Sequence, residues 1–307
     1  MVQKSNPVPR APDAVSVKEP SSMSLKSLWQ TRQSSDDPAR RYPLVMGIVN
    51  VTPDSFSDGG RYQGAAALAH ARRLVSDGAD VLDIGGESTR PGSDPVSVDE
   101  EIERVVPLIE ALSREWDGVV SIDTMKPEVA RAAVGAGASV WNDVTALTFT
   151  PDSVATAAAL KVELILMHMK GQPKTMQDAP RYDDVVAEVT EHLKAQVFAA
   201  IGAGVKADHI WLDPGIGFAK TTAHNLALTA ALPKLCSLGY PVLYAASRKR
   251  MIAEIDPAAI DAGDRLGGTL ALHLEAARLG AAMVRVHDVR ETVQALKVQA
   301  ALRSYGV

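Results

Sequence analysis

Asn50, Asp83, Asp123, Asn142, His168, Asp213, Ser247 with Lys249, and Arg285 with His287 are polar residues that each close a short apolar run, and most could bind or polarise a small molecule. Their chemistry falls into groups. Asp123, Asn142, Asp213 and Lys249 offer acceptors, an amide and a mobile point charge. These suit a flat heterocycle with N–H donors and ring acceptors along one edge, which is read selectively because an analogue would leave buried groups unpaired. Arg285 and His287, together with Arg90 in the glycine- and hydroxyl-rich stretch 83–92, suit phosphate or carboxylate oxygens. Asn50 supplies a neutral carbonyl oxygen for one face of a water-rich Mg²⁺ whose other ligands are substrate phosphate oxygens. Taken singly, each has a bland counterpart: a strand-capping Asn, a structural Asp, a solvated arginine. His168, between Met167 and Met169, reads as a satisfied core histidine beside methionines that wall a pocket, and it is given no chemical role.

What would bring such scattered residues together is the pattern around them. Short β-prone runs at 44–50, 81–84, 119–123, 139–142, 164–168, 210–213, 242–244 and 283–286 alternate with helix-prone stretches that include 65–77, 100–114, 127–135, 182–203 and 267–279. This alternation predicts βα units and a parallel sheet. Their number and spacing fit an α/β fold of the TIM (β/α)₈ barrel type better than an open doubly wound sheet. In a closed parallel barrel the C-terminal strand ends converge on one face, so residues over two hundred positions apart become neighbours. The first run continues into Thr52-Pro53-Asp54-Ser55-Phe56-Ser57-Asp58-Gly59-Gly60, a series of turn formers suited to a mobile lid.

Composition narrows the class. The chain has 307 residues, 46% of them apolar and 22% charged, with a formal net charge of −5. That excludes a global basic field for nucleic acid or anionic lipid, so any anion site must be local. Cys236 is the single cysteine, which excludes an internal disulfide framework and thiolate zinc sites and fits a reducing compartment. Neither a membrane-length apolar run nor a secretory pattern is present, so a soluble cytoplasmic protein with no nucleic-acid or membrane partner is expected. Residues 1–40 are rich in Ser, Pro, Gln and mixed charge and are expected to be a flexible, disordered extension, with residues 41–307 forming the barrel domain.

In order and spacing, segments 47–60, 83–92, 121–124, 142–144, 167–177, 213–225, 247–249 and 285–289 resemble the motifs of bacterial dihydropteroate synthases. The resemblance runs from about residue 43 to 300, and the first two motifs are long and chemically unusual. It implies a pterin-binding transferase that condenses 6-hydroxymethyl-7,8-dihydropterin pyrophosphate with 4-aminobenzoate in folate biosynthesis, giving 7,8-dihydropteroate and pyrophosphate with Mg²⁺ as cofactor. By position in the motifs, Asp123, Asn142, Asp213 and Lys249 would hold the pterin. Asn50 would bind the metal, and with Arg90, Arg285 and His287 would hold the pyrophosphate. Thr89, Pro91, Phe218 and Ser247 would border the 4-aminobenzoate site. The catalytic set would be Asp123, Asp213, Lys249 and Arg285. A homodimer and inhibition by sulfonamides are further implications. Three positions depart from the usual pattern: Ala219 and Ala245 replace glycines, and Arg250 stands where Ser is common. A methyl group would be strained at either alanine if its φ is positive.

Overall fold

The computed structural model describes residues 23–51, 60–88, 93–171, 176 and 180–306. Strands β1 Leu44–Asn50, β2 Val81–Gly85, β3 Val119–Asp123, β4 Val140–Asp143, β5 Glu163–Met167, β6 Ile210–Asp213, β7 Leu243–Tyr244 and β8 Met283–Val286 form one parallel sheet in the order 6-5-4-3-2-1-8-7. A bridge between Leu212 and Val242 joins β6 to the start of β7 and closes the barrel. The expected strands lie within a residue or two of these. Only Asn50 and Arg285 among the strand residues escape full burial, as expected for parallel strands covered on both faces.

Helices α1 Leu25–Gln33, α2 Gly60–Ser76, α3 Val98–Glu115, α4 Pro127–Ala136, α5 Ser153–Leu160, α6 Val185–Gly202, α7 Thr222–Ala230, α8 Leu232–Cys236, α9 Arg250–Ile255, α10 Leu266–Arg278 and α11 Val289–Arg303 complete the chain. Local chemistry sets their ends. The Ser97 hydroxyl accepts from Glu100 N to start α3, the Asp184 carboxylate accepts from Val186 N and Ala187 N to start α6, and Gly137 ends α4 in the left-handed conformation. The Asp184 cap explains why the expected helix from residue 182 begins later, at Val185.

Side chains two apart along a strand share a face, and this alternation sorts the barrel interior into layers. Leu44, Met46, Val81, Val119, Val140, Ile165, Trp211, Leu243 and Met283 pack together as an apolar floor at the N-terminal strand ends. Two residues further along, the same face carries Asp83, Ser121, Asn142, Asp213 and Arg285. The opposite strand faces pack against the helices in the main core.

The floor corrects one expectation. Residues 1–22 lie outside the described residues, but the rest of the segment expected to be disordered contains α1, with Leu25 fully buried in the floor cluster. Ser24 and Ser27 form a capping box, and the backbone N–H groups of Leu25 and Lys26 both donate to the buried Glu163 carboxylate at the start of β5. Arg32 pairs with Asp80, whose other oxygen accepts from Val45 N. The folded unit therefore reaches at least as far back as Ser24 and does not start at residue 41. No helix among the described residues is long and apolar enough to cross a membrane.

Candidate active site

At the C-terminal mouth, one rung above the apolar floor, β8 places Arg285 between two acids. Its Nε donates to Asp83 Oδ2 at 2.6 Å and its Nη2 to Asp123 Oδ2 at 2.7 Å. Asn142 Nδ2 also donates to Asp83 Oδ2, at 3.1 Å. The second oxygens of Asp83 and Asp123 are buried without a partner among the described residues. Buried acceptors of this kind are costly unless something supplies donors, so a ring bearing N–H groups fits here. Burial pushes the Asp123 carboxyl up to about 7, Arg285 opposes this, and the Asp83 charge adds to it. Sequence reasoning places Arg285 on pyrophosphate; in this structure its Nε and Nη2 are bonded to the two acids. Asp83 was noticed at a strand end but given no task, although a polar residue on the inward face of a buried strand was the signal for one.

Asp213 ends β6. Its Oδ1 accepts from Gly215 N at 2.7 Å, and burial raises its carboxyl to about 6 while Lys249 and Arg285 lower it. Gly215 has φ +68°, and a Cβ there would lie 2.0 Å from the His168 carbonyl oxygen, so no other residue fits this turn. Lys249 Nζ stands 4.2 Å from the centroid of the Phe218 ring. Met125, Val144 and Met167, with Met169 and Phe218 against them, form an apolar wall beside these acids. Met125 and Val144 were not foreseen, because an apolar residue past a strand end looks like any core residue.

On the far side, Ser247 Oγ lies 2.9 Å from His287 Nδ1, so the hydroxyl expected beside 4-aminobenzoate is tied to a residue expected on pyrophosphate. Arg248 pairs with Asp288, whereas Arg250 is exposed against Glu254. A cleft of about 400 Å³ lined by His70, Arg73, Arg248 and His287 opens beside them. Thr89, Arg90 and Pro91, and the lid 52–59, lie outside the described residues. Just before the Arg90 segment, Glu87 joins a buried ion cluster: Lys126 Nζ donates to Glu87 at 2.9 Å and to Glu101 at 2.6 Å.

Asn50 is half-exposed at the mouth, its Oδ1 3.7 Å from where a Cβ on Gly85 would sit. Among the described residues no three His, Cys, Asp or Glu side chains gather to hold a metal. The Asn50 amide oxygen is the kind of neutral donor that a Mg²⁺ sharing phosphate and water ligands can take. Among the described residues neither a structural nor a thiolate site is on offer.

His168 is buried, with its pKa driven down to about 2, first by burial and then by Lys220, so the ring is neutral. Lys220, which sequence reasoning passed over, is only 3% exposed and donates to it. Ala219 adopts φ +51°, the strained case anticipated for a replaced glycine, whereas Ala245 is not among the positive-φ residues.

Comparison with known proteins agrees with this geometry. A family model described as pterin binding enzyme matches residues 46–287. The chain is 45% identical over 258 residues to the dihydropteroate synthase of Escherichia coli K12, covering 84% of this chain and 90% of that protein. It superposes on Xanthomonas albilineans dihydropteroate synthase bound to 4-aminobenzoic acid with TM-score 0.81 and 52% identity, covering 86% of this chain and 94% of that one. Yersinia pestis dihydropteroate synthase in a sulfonamide drug complex gives TM-score 0.80 and 43% identity, covering 86% and 95%.

Proposed function

Since this chain belongs to the dihydropteroate synthase family of pterin-binding enzymes, we propose that its barrel mouth joins a dihydropterin methyl pyrophosphate to 4-aminobenzoate by a dissociative, SN1-like displacement. The observation that carries this reading is the Asp83–Arg285–Asp123 network with its two orphaned carboxylate oxygens.

Asp123, Asn142 and Asp213 would accept and donate along the pterin edge, with Lys249 above the ring's acceptors. When the C–O bond to pyrophosphate breaks, positive charge spreads from the exocyclic methylene into the ring, and the Asp123 and Asp213 carboxylates favour it. Arg90 and His287, with Asn50, would hold the departing pyrophosphate. Arg285, paired with two acids, fixes their geometry and adds positive potential beneath the leaving group. Mg²⁺, held by Asn50 and phosphate oxygens, would supply further charge neutralisation when bound. The neutral aromatic amine, seated against Phe218 and the methionine wall with Thr89, Pro91 and Ser247 nearby, then forms its bond to the methylene carbon and loses a proton. Asp213, Asp123, Lys249 and Arg285 would thus act without a covalent enzyme adduct. Sulfonamides, as 4-aminobenzoate mimics, would occupy the same seat; the Yersinia pestis relative forms a sulfonamide drug complex. A cytoplasmic homodimer is also proposed, for which the exposed Phe198 and Ile201 of α6 and Leu226 of α7 offer apolar surface.

The test is pyrophosphate release from the pterin pyrophosphate with and without 4-aminobenzoate. Release that depends on the amine, matched by dihydropteroate formed, supports the reading. Asp213→Asn should lower turnover by about two or more orders of magnitude, and near-normal turnover would remove Asp213 from this role.

A further inference from the structure

Lys220 is a buried lysine to which this mechanism gives no work. Its Nζ donates to the Phe218 carbonyl at 2.9 Å, to the His168 carbonyl at 3.3 Å and to His168 Nδ1 at 3.0 Å. One side chain therefore ties the loop after β6 to the end of β5. Keeping it there is unfavourable in isolation, since burial pushes its pKa down to about 7. What it restrains is a strained turn: Gly217 has φ +83°, and Ala219, buried, has φ +51°, a conformation that L residues disfavour. From the other side, Gly217 N donates to Asn225 Oδ1 at 2.8 Å. The turn carries the Phe218 ring to its place 4.2 Å from Lys249 Nζ and against Met167 and Met169. Strain of this kind persists only where neighbouring groups over-determine the backbone. Without the three bonds from Lys220, Ala219 would relax toward negative φ and swing the ring.

We propose that Lys220 is a positioning residue that clamps the 217–219 turn, so that it sets how tightly 4-aminobenzoate is seated while leaving bond breaking at the pterin untouched. This rests on the reading that Phe218 borders the 4-aminobenzoate seat, and the experiment separates the two.

KM for 4-aminobenzoate and kcat are measured at saturating pterin pyrophosphate for the wild type, Phe218→Ala, Lys220→Met, Ala219→Gly and the double variant K220M/A219G. Lys220→Met should raise KM by about tenfold with kcat within about threefold, the signature of lost substrate seating. Ala219→Gly alone should leave KM within about twofold. In the double variant it should recover most of the lost affinity, because glycine takes positive φ without help. A fall in kcat at unchanged KM in Lys220→Met, or a double variant no better than the single one, overturns the proposal. If Lys220→Met does not fold, the double variant decides: a folded protein with near-normal KM supports the clamp, and one that also fails to fold assigns Lys220 to core stability and overturns it. Unchanged KM in Phe218→Ala refutes the placement of the ring and the proposal with it, whereas a KM raised by Phe218→Ala but not by Lys220→Met overturns the clamp alone.

Discussion

Replacing Asp83 by Asn removes one of the two charges that hold Arg285 while leaving shape intact. Asp83 is fully buried, and its Oδ2 accepts from Arg285 Nε at 2.6 Å and from Asn142 Nδ2 at 3.1 Å. The amide oxygen of Asn can accept from both donors, so no cavity opens and the loss is that of charge assistance. A hydrogen bond to a charged group contributes about 1.5–3 kcal/mol and an uncharged one about 0.5–1.5, so the loss is about 1–1.5 kcal/mol. If that difference is expressed in the transition state, kcat/KM falls by about 5- to 13-fold, at roughly 1.4 kcal/mol per tenfold. A second signature concerns pH. The Asp83 charge helps to hold the Asp123 carboxyl near 7, so its removal lowers the Asp123 pKa, and an Arg285 left to pair with Asp123 alone pulls the same way. Because kcat/KM reports free-enzyme groups, activity that needs the Asp123 carboxylate is lost as pH falls through about 7 in the wild type and at lower pH in Asp83→Asn. The raised carboxyl has the opposite effect on the ligand-free fold: relative to its ordinary 3.8, Asp123 contributes most stability at acid pH and loses it as pH rises toward about 7. The assay is amine-dependent pyrophosphate release between about pH 5.5 and 9, with thermal unfolding alongside. A variant with kcat/KM within about twofold of wild type and an unmoved acid limb would refute the argument that this ion pair positions the site.

Two other expectations follow from different regions. Chelation of divalent ions should abolish turnover, with Mg²⁺ restoring it, while the melting temperature of the ligand-free chain stays constant, because no three potential ligands converge among the described residues; a melting temperature that falls on chelation would point to a structural metal instead. Leu25→Ala should cost about 2–5 kcal/mol of stability and leave kcat within about twofold, since the barrel floor lies at the far end from the chemistry; unchanged stability would mean that α1 does not plug the barrel in solution.

The fold was legible because parallel strands buried on both faces leave long apolar runs, and the turns between them carry the residues of the site. Asp123, Asn142, Asp213 and Lys249 could be placed on one face before any coordinates, since barrel closure alone makes neighbours of strand ends. Less local features escaped. The capping of α1 depends on Glu163, an acid 138 residues from Leu25 whose partner is backbone, and backbone leaves no mark in a sequence. Lys220 lies two residues past Phe218 in a loop where any lysine reads as solvated; its burial depends on two carbonyls, one of His168 just past β5 and one of Phe218 in the loop after β6. The pairing of Arg285 with Asp83 and Asp123 was not legible, because those acids are 202 and 162 residues away. Charge pairing at that range is decided by the inward register of three strands, not by any motif.

The narrow β7 also matters for motion. It is two residues long, and the closure between it and β6 consists of the Leu212–Val242 bridge, with Leu212 N bonded to Pro241 O at 3.0 Å. A cylinder with one thin seam opens there first, because local unfolding takes the path that breaks fewest bonds. Asp213 stands on one lip of that seam and Ser247 and Lys249 on the other. A substrate that touches both lips acts as a missing rung, so the barrel is a more complete cylinder when loaded, and hydrogen exchange along 210–213 and 242–244 would register occupancy of the site without reference to turnover.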